Sequence, residues 1–228
     1  IPTIASEKQK YVTAITHLMW SLYGNKNPDG SGGCVPENKK LTLGFINEPN
    51  NKLFNVNQYI DGKWVAPENT VELMSYAYPR LKKEAAKEGL GVDLTLVGGE
   101  IATSKSSNAV GFIRQMGRYI KQKRINRQIM DQFAAHYYLQ GADADPDISA
   151  SQSIERVSQA VKESFGAKMP LIYNEVGAWA DTPKHKERLY QERLPDTISA
   201  LSGIEQGEFY KKFVETAVCQ GVKSVLIF

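Results

Sequence analysis

Two glutamates have the types and positions needed for acid and nucleophilic chemistry. Glu48 follows the apolar run LTLGFIN, and Glu175 follows the apolar run PLIYN. Short apolar runs of this kind are typical of buried strands in a parallel sheet, so we expect each carboxylate at the carboxyl end of a strand. A protonated and an ionised carboxylate side by side form the pair that hydrolyses a glycosidic bond. The alternatives are an exposed loop carboxylate for Glu48 and a helix-start acid for Glu175.

His136 and Tyr138 form a second group of interest. They lie in the run DQFAAHYY, which predicts a strand between the two that carry the glutamates. Side chains two residues apart on a strand face the same way. We therefore expect the imidazole and the phenol to converge between the glutamates, where they could orient the carboxylates and hold sugar hydroxyl groups. The alternative is a core histidine beside an ordinary core tyrosine.

The elements that position these residues alternate strictly between helix and strand. Helical spacing of apolar residues predicts helices near 11–22, 70–88, 110–120, 153–165 and 209–217. Apolar runs bounded by polar or turn residues predict strands at 41–47, 93–97, 131–138, 170–174 and 223–228. No two strands are adjacent in sequence, which indicates a parallel sheet with helical crossovers.

A doubly wound sheet and a (β/α)₈ barrel both fit this alternation. The sequence contains no G-x-G-x-x-G or Walker pattern, and Gly98-Gly99, which follows a strand, matches neither. In a barrel, functional residues gather at the carboxyl ends of several strands, because all of these ends open on one face. Polar residues at three such ends favour an α/β fold of the (β/α)₈ TIM-barrel class, with residues 1–228 in a single catalytic domain.

Several motifs resemble those of clan A glycoside hydrolases. The segment FINEPN around Glu48 is similar to the N-E-P motif that ends strand four in that clan, and YNEVG around Glu175 is similar to its strand-seven segment. The H-x-Y of His136 and Tyr138 resembles a pair on strand six of cellulase-like family 5 members. The runs VGGE at Val97 and MDQFAAHYY at Met130 look like bacterial relatives on the border of families 5 and 39.

This resemblance implies a retaining hydrolase of β-glycosidic bonds, acting on an oligo- or polysaccharide with Glu48 as acid/base and Glu175 as nucleophile. It also implies that Asn47 binds a sugar hydroxyl next to the reacting carbon. Trp179 either stacks on a sugar ring or packs on the barrel rim. Structural roles are expected for Trp64 and Glu100.

The sequence departs from the clan at both ends. Strands one to three are absent, with the arginine that cellulase-like members place near the nucleophile. The chain also stops inside strand eight, before the usual tryptophan platform. Because a barrel without three strands exposes two parallel edges, we interpret the sequence as an incomplete (β/α)₈ domain.

Composition excludes several other classes. The net charge of +3 is spread along the chain, which argues against nucleic acid as a partner, and no apolar stretch is long enough to span a membrane. Cys34 and Cys219 lack the spacing of a metal site, so neither a metal nor a cofactor is predicted. The expected partner is a carbohydrate. Its identity, the linkage, endo or exo action and the oligomeric state stay open, as does localisation, although secretion is common among polysaccharide-degrading relatives.

Two other functions remain open from the sequence. One is a carbohydrate-binding barrel, or an inactive fragment of a glycosidase, that keeps the site without the chemistry. The other is an unrelated α/β enzyme whose glutamates bind a metal ion.

Overall fold

The computed structural model describes residues 1–24, 39–51, 59–60, 62–103, 108–139, 146–180, 200–201 and 203–227. The helices in these ranges are α1 (Ala5–Tyr23), α2 (Ala66–Ala85), α3 (Ala109–Lys123), α4 (Pro146–Phe165) and α5 (Gly203–Cys219). The strands are β1 (Lys40–Gly44), β2 (Tyr59–Ile60), β3 (Lys63–Trp64), β4 (Asp93–Ala102), β5 (Gln132–Leu139), β6 (Leu171–Ala180), β7 (Ala200–Leu201) and β8 (Val225–Ile227). No helix in these ranges has the length and apolar character that crossing a membrane would require.

The main sheet is parallel and curls into half of a barrel. Its order is β1-β4-β5-β6, and both β8 and the short β7 pair with β6. Strands β1, β4, β5, β6 and β8 are the five that the sequence predicts, and their parallel pairing confirms the α/β alternation. The antiparallel pair β2–β3 and the strand β7 were not predicted, because two-residue strands carry no periodic pattern.

The helices pack on one face of the sheet because each presents an apolar stripe. In α3, Phe112, Ile113, Met116 and Ile120 are buried at helical spacing, and the Asn108 side chain caps the first turn by accepting a hydrogen bond from a backbone N–H. The opposite, concave face of the sheet carries the small cluster of Val97, Ala134 and Ile172.

Some element boundaries differ from the sequence prediction. Helix α2 begins at Ala66, with Pro67 in its first turn, where the missing proline N–H costs nothing. Thr70, where the sequence predicts the helix to begin, lies inside the helix and donates its hydroxyl to the Ala66 carbonyl at 2.7 Å. Strand β1 ends at Gly44 rather than near Asn47, because the backbone turns there.

Strand β4 contains a β-bulge at Glu100. Gly99 and Ile101 pair with consecutive residues of β5, Ala134 and Ala135, which leaves Glu100 as the extra residue. Glu100 has a φ of 46°, in the left-handed region that non-glycine residues rarely adopt. A bulge redirects the side chains that follow it and increases the local twist.

A second bulge lies in β6 at Asn174. Tyr173 pairs with Ala135 and Glu175 pairs with the next residue, His136, so Asn174 has no partner in the register. The bulge interrupts the two-residue alternation of the strand. As a result Asn174 and Glu175, although adjacent in sequence, both make their contacts among the residues at the strand ends.

The bulge changes which residues of β6 share a face. Strict alternation predicts that Leu171, Tyr173 and Glu175 share a face, but Tyr173 is fully buried and packs edge-on against Phe213 of α5, with ring centroids 5.3 Å apart. Leu171 belongs to the same helix-facing core. Glu175 lies on the other side because the extra residue reverses the alternation after Tyr173.

We expect Tyr173→Phe to stabilise the protein. The Tyr173 hydroxyl is buried and has no hydrogen-bond partner among the described residues, so its removal relieves a desolvation cost of about 1–3 kcal/mol. The matched variant Tyr78→Phe removes a hydroxyl that donates to Asp131 at 2.8 Å, and should destabilise by about 1 kcal/mol. Urea unfolding of both variants measures the two changes. A loss of stability in Tyr173→Phe would show that the hydroxyl is satisfied.

Candidate active site

Four of the predicted site residues meet at the carboxyl ends of the strands. His136 Nδ1 lies 3.2 Å from Glu48 Oε1 and 3.5 Å from Glu175 Oε2. The Tyr138 hydroxyl donates to Glu175 Oε2 at 2.8 Å. The expected convergence of His136 and Tyr138 between the two glutamates is therefore present.

The turn after β1 fixes the position of Glu48. The Asn50 side chain donates to the Ala102 carbonyl at 2.7 Å and accepts from the Ala102 N–H at 3.0 Å, as a strand backbone would. Glu48 has a φ of 42°, and its N–H donates to the Glu100 carbonyl at 3.0 Å. The carboxylate also accepts from the Asn51 amide at 3.0 Å. Buried Asn50 thus joins the N-E-P segment to β4.

The two carboxylates lie close together. One ligand atom from each of Glu48, His136 and Glu175 can be chosen so that all three lie within 4.8 Å of one another. The Glu48 side chain is 12% exposed and the Glu175 side chain 27% exposed, so both face an opening while part of each is shielded from water. Proximity and partial burial both strengthen the electrostatic coupling between them.

His136 bridges the pair through one nitrogen. Its side chain is only 1% exposed, and Nδ1 faces carboxylate oxygens of both glutamates, so Nδ1 must carry a proton to donate. Nε2 is buried without a hydrogen-bond partner among the described residues. A hydrogen on Nε2 would be an unsatisfied buried donor, which favours placing the ring hydrogen on Nδ1.

The position of the Tyr138 ring requires a glycine at residue 177, two residues after Glu175. A Cβ placed on Gly177 would lie 2.5 Å from the Tyr138 ring, closer than real Cβ contacts allow. The absence of a side chain at Gly177 lets the phenol lie flat against β6 and reach Glu175. Burial raises the pKa of Tyr138, and the hydrogen bond to Glu175 raises it further, so the phenol remains a donor.

Glu48 is biased toward its ionised form. The hydrogen bond from His136 lowers the pKa of Glu48, and the Asn51 amide lowers it further, while burial opposes both. A general acid must be protonated before it can act, so the lowered pKa narrows the pH range in which Glu48 can take its predicted role.

Glu100 and Asn174 also belong to the site, although the sequence analysis predicts no chemical role for either residue. The Asn174 amide donates to Glu100 Oε1 at 3.3 Å, and the Ile46 N–H donates to Glu100 Oε2 at 3.2 Å. Burial raises the pKa of Glu100, and the charge of Glu175 adds to the effect. Two sequence signals pointed to Glu100: its position directly after Gly98-Gly99 at the end of an apolar strand, and the resemblance of the VGGE run to glycosidase relatives.

The remaining predicted residues are placed differently. Asn47 is exposed at the turn after β1, beside Glu48 in sequence. Trp179 lies near the end of β6, and its side chain is outside the described residues. Trp64 packs near Phe112 of α3, with ring centroids 5.6 Å apart, in agreement with a structural role.

Glu48, His136 and Glu175 also form a group that could hold a metal ion, because each offers a nitrogen or oxygen ligand. The same atoms are already engaged with one another, since the Nδ1 hydrogen of His136 lies between the two carboxylates. A bound cation would have to displace that hydrogen.

Comparison with known proteins gives a fold but no family. No protein-family model and no curated protein matches the sequence. A GH39 enzyme from Xanthomonas axonopodis pv. citri matches with a TM-score of 0.59 at 14% identity, over 98% of this chain and 37% of that one. A glucosidase from Croceicoccus marinus matches with a TM-score of 0.53 at 15% identity, over 97% and 38%.

A family 5 mannosidase from Rhizomucor miehei also matches, with a TM-score of 0.50 at 12% identity, over 98% of this chain and 47% of that one. The chain thus spans less than half the length of each of these three proteins. At such identities the likeness concerns the fold alone. The curled half-barrel is shared with TIM-barrel glycosidases.

We expect His136→Ala to raise the pKa of Glu48. The imidazole N–H stabilises the carboxylate form, so its removal makes the proton harder to lose. Carbon-13 NMR titration of the Glu48 carboxyl in the wild type and the variant measures the shift. An unchanged or lower pKa in His136→Ala would contradict the assigned hydrogen bond. The variant Asn51→Ala should produce a smaller rise, because the amide makes the weaker contribution.

Proposed function

We propose that the protein is a retaining glycoside hydrolase that cleaves β-glycosidic bonds by double displacement. The observation that carries the proposal is the close approach of Glu48 and Glu175, which have carboxylate oxygens within 4.8 Å of one another. Retaining enzymes hold their two carboxyl groups about 5–5.5 Å apart, whereas inverting enzymes need roughly 6.5–9.5 Å to admit a water. The glycosidase fold of the structural neighbours supports the same reaction class.

In the first step Glu175 attacks the anomeric carbon. A bond forms between its carboxylate oxygen and that carbon while the bond to the leaving oxygen breaks, and Glu48 gives its proton to the leaving oxygen. Tyr138, which donates to Glu175 Oε2, would hold the nucleophile in place through its hydrogen bond. The product of this step is a covalent glycosyl-enzyme.

In the second step Glu48 acts as a base. Its carboxylate takes a proton from water, the water oxygen attacks the anomeric carbon, and the bond to Glu175 breaks, which releases the sugar with its original configuration. The ionised form of Glu48 that the His136 hydrogen bond favours suits this second step. The first step needs the protonated form, so the low pKa of Glu48 predicts that hydrolysis of poor leaving groups declines early as the pH rises.

Two variants test the assignment of the carboxylates. Glu175→Ala should abolish turnover of every substrate, because no bond to the anomeric carbon can form. Glu48→Ala should slow hydrolysis of natural oligosaccharides by about 100- to 10,000-fold, but slow cleavage of activated aryl glycosides far less, since good leaving groups need little acid assistance. Steady-state kinetics on matched pairs of substrates measures both effects.

The control for these variants is Glu163→Ala, which removes an exposed glutamate of α4 that pairs with Arg114. It should leave both activities unchanged. Wild-type turnover by Glu175→Ala would refute the nucleophile assignment. An equal loss on both substrate types in Glu48→Ala would refute the acid role.

A metal-dependent hydrolase is the second candidate, because Glu48, His136 and Glu175 offer three ligands within 4.8 Å. The two candidates differ in their response to chelation. If the proposed mechanism holds, turnover measured after extensive dialysis against EDTA equals that of untreated protein, and added Zn²⁺ does not raise it. Loss of activity on chelation with recovery on Zn²⁺ addition would favour the metal. Oligosaccharide binding by calorimetry with no hydrolysis would favour a non-catalytic barrel.

A further inference from the structure

One carboxyl outside the proposed catalytic pair contacts the residues beside both of its members. Glu100 Oε2 accepts from the N–H of Ile46, two residues before Glu48, at 3.2 Å. Its Oε1 accepts from the amide of Asn174, the residue before Glu175, at 3.3 Å. The Glu100 carbonyl also accepts from the Glu48 N–H at 3.0 Å.

These contacts connect strands that are not neighbours. Glu48 follows β1 and Glu175 lies on β6, and the two strands are separated in the sheet by β4 and β5. Backbone pairing fixes each strand against the next, so small changes in twist accumulate between β1 and β6. A side chain that is hydrogen-bonded to both strand ends limits how far the end of β1 can shift relative to the end of β6.

The backbone conformation of Glu100 allows its side chain to contact both strand ends. The residue is the extra one of the β4 bulge, with a φ of 46°. Strained non-glycine positions of this kind cost on the order of 1–3 kcal/mol and persist where the surroundings impose them. Asn174, its partner, is the extra residue of the β6 bulge, so the two bulges are joined by a hydrogen bond.

The sequence also leaves room for the carboxyl. A Cβ placed on Gly44, the last residue of β1, would overlap both carboxylate oxygens of Glu100. The glycine is needed there because the Glu100 side chain passes directly over the β1 backbone to reach Ile46. The missing side chain at Gly44 of β1 thus leaves the room that the Glu100 side chain, directed by the β4 bulge, occupies.

We propose that Glu100 is a positioning residue that sets the separation of Glu48 and Glu175 by joining the ends of β1 and β6 through its carboxyl hydrogen bonds. The inference rests on the proposed function, because it assigns Glu100 a role in that reaction. Glu100 does not touch the substrate in this role. It acts through Ile46 and Asn174, and a glutamine in its place can make equivalent bonds.

The glutamine variant separates hydrogen bonding from charge. In Glu100→Gln the amide oxygen still accepts from Ile46, and the amide nitrogen can donate to Asn174 Oδ1 once the Asn174 amide rotates. That oxygen is buried and has no hydrogen-bond partner in the described part of the chain. Burial already raises the pKa of Glu100, so a neutral group suits the position.

The test compares Glu100→Ala, Glu100→Gln and Gly44→Ala, with Gly207→Ala as the control because a Cβ there meets no atom within 4 Å. Crystal structures give the Glu48–Glu175 carboxyl separation, and kinetics on an aryl glycoside gives kcat and KM. Glu100→Ala and Gly44→Ala should widen the separation and lower kcat by about 100-fold, the cost of a misplacement near 1 Å, with little change in KM. Glu100→Gln and Gly207→Ala should retain wild-type values of all three.

Each outcome bears on the proposal. An unchanged separation in Glu100→Ala overturns it, as does a Glu100→Gln variant that is as defective as Glu100→Ala. If Glu100→Ala does not fold, Gly44→Ala keeps the carboxyl but displaces it, and wild-type geometry in that variant also overturns the proposal. A wild-type protein without hydrolytic activity would refute the proposed function, while the separations would still test the positioning role.

Discussion

The site depends on holding two carboxylates next to one another against their mutual repulsion. Carboxylate oxygens of Glu48 and Glu175 lie within 4.8 Å of one another, and two unit charges at such a distance repel by a few kcal/mol, on the order of 3, at an effective dielectric constant of about 20. His136 reduces the repulsion by placing one N–H between the two groups, and Tyr138 adds a second donor to Glu175. The rest of the half-barrel serves to keep these donors and acceptors at fixed positions.

Two β-bulges in the sheet place the side chains of the site. Strand β5 alternates regularly, so His136 and Tyr138 share a face while Tyr137 between them packs against the helices. The flanking strands β4 and β6 each carry an extra residue, and these residues meet across the site. Bulges are a recognised means of redirecting side chains at sheet ends. Here they bring Glu175 and its neighbour Asn174 to the same side.

Burial and donated hydrogen bonds shift the pKa of an acidic group in opposite directions, and a different one prevails at each glutamate of the site. At Glu48 the donated hydrogen bonds of His136 and Asn51 outweigh burial and lower the pKa, whereas at Glu100 burial outweighs the bonds and raises it. Glu48 and Glu100, whose backbones are hydrogen-bonded to each other, thus have pKa values shifted in opposite directions. The raised pKa of Glu100 suits a group that holds Ile46 and Asn174 by hydrogen bonds, whereas the lowered pKa of Glu48 suits the base of the second step.

The sequence by itself determined the order of elements and most of the site. Apolar periodicity predicted the five helices and the five main strands, and the strand-end positions of Glu48, His136, Tyr138 and Glu175 predicted that they meet. These features depend on local patterns, because alternation and helical spacing are set by residues close in sequence.

Only the tertiary structure decided how they meet. Strict alternation placed Tyr173 with Glu175, and the bulge at Asn174 separates them. No local pattern marks a bulge, because it arises where two strands of unequal residue count must stay in register. For the same reason Glu100 was not assigned a role in the site. Its contacts with Ile46 and Asn174 join segments more than fifty residues apart, and such contacts exist only once the sheet has curled.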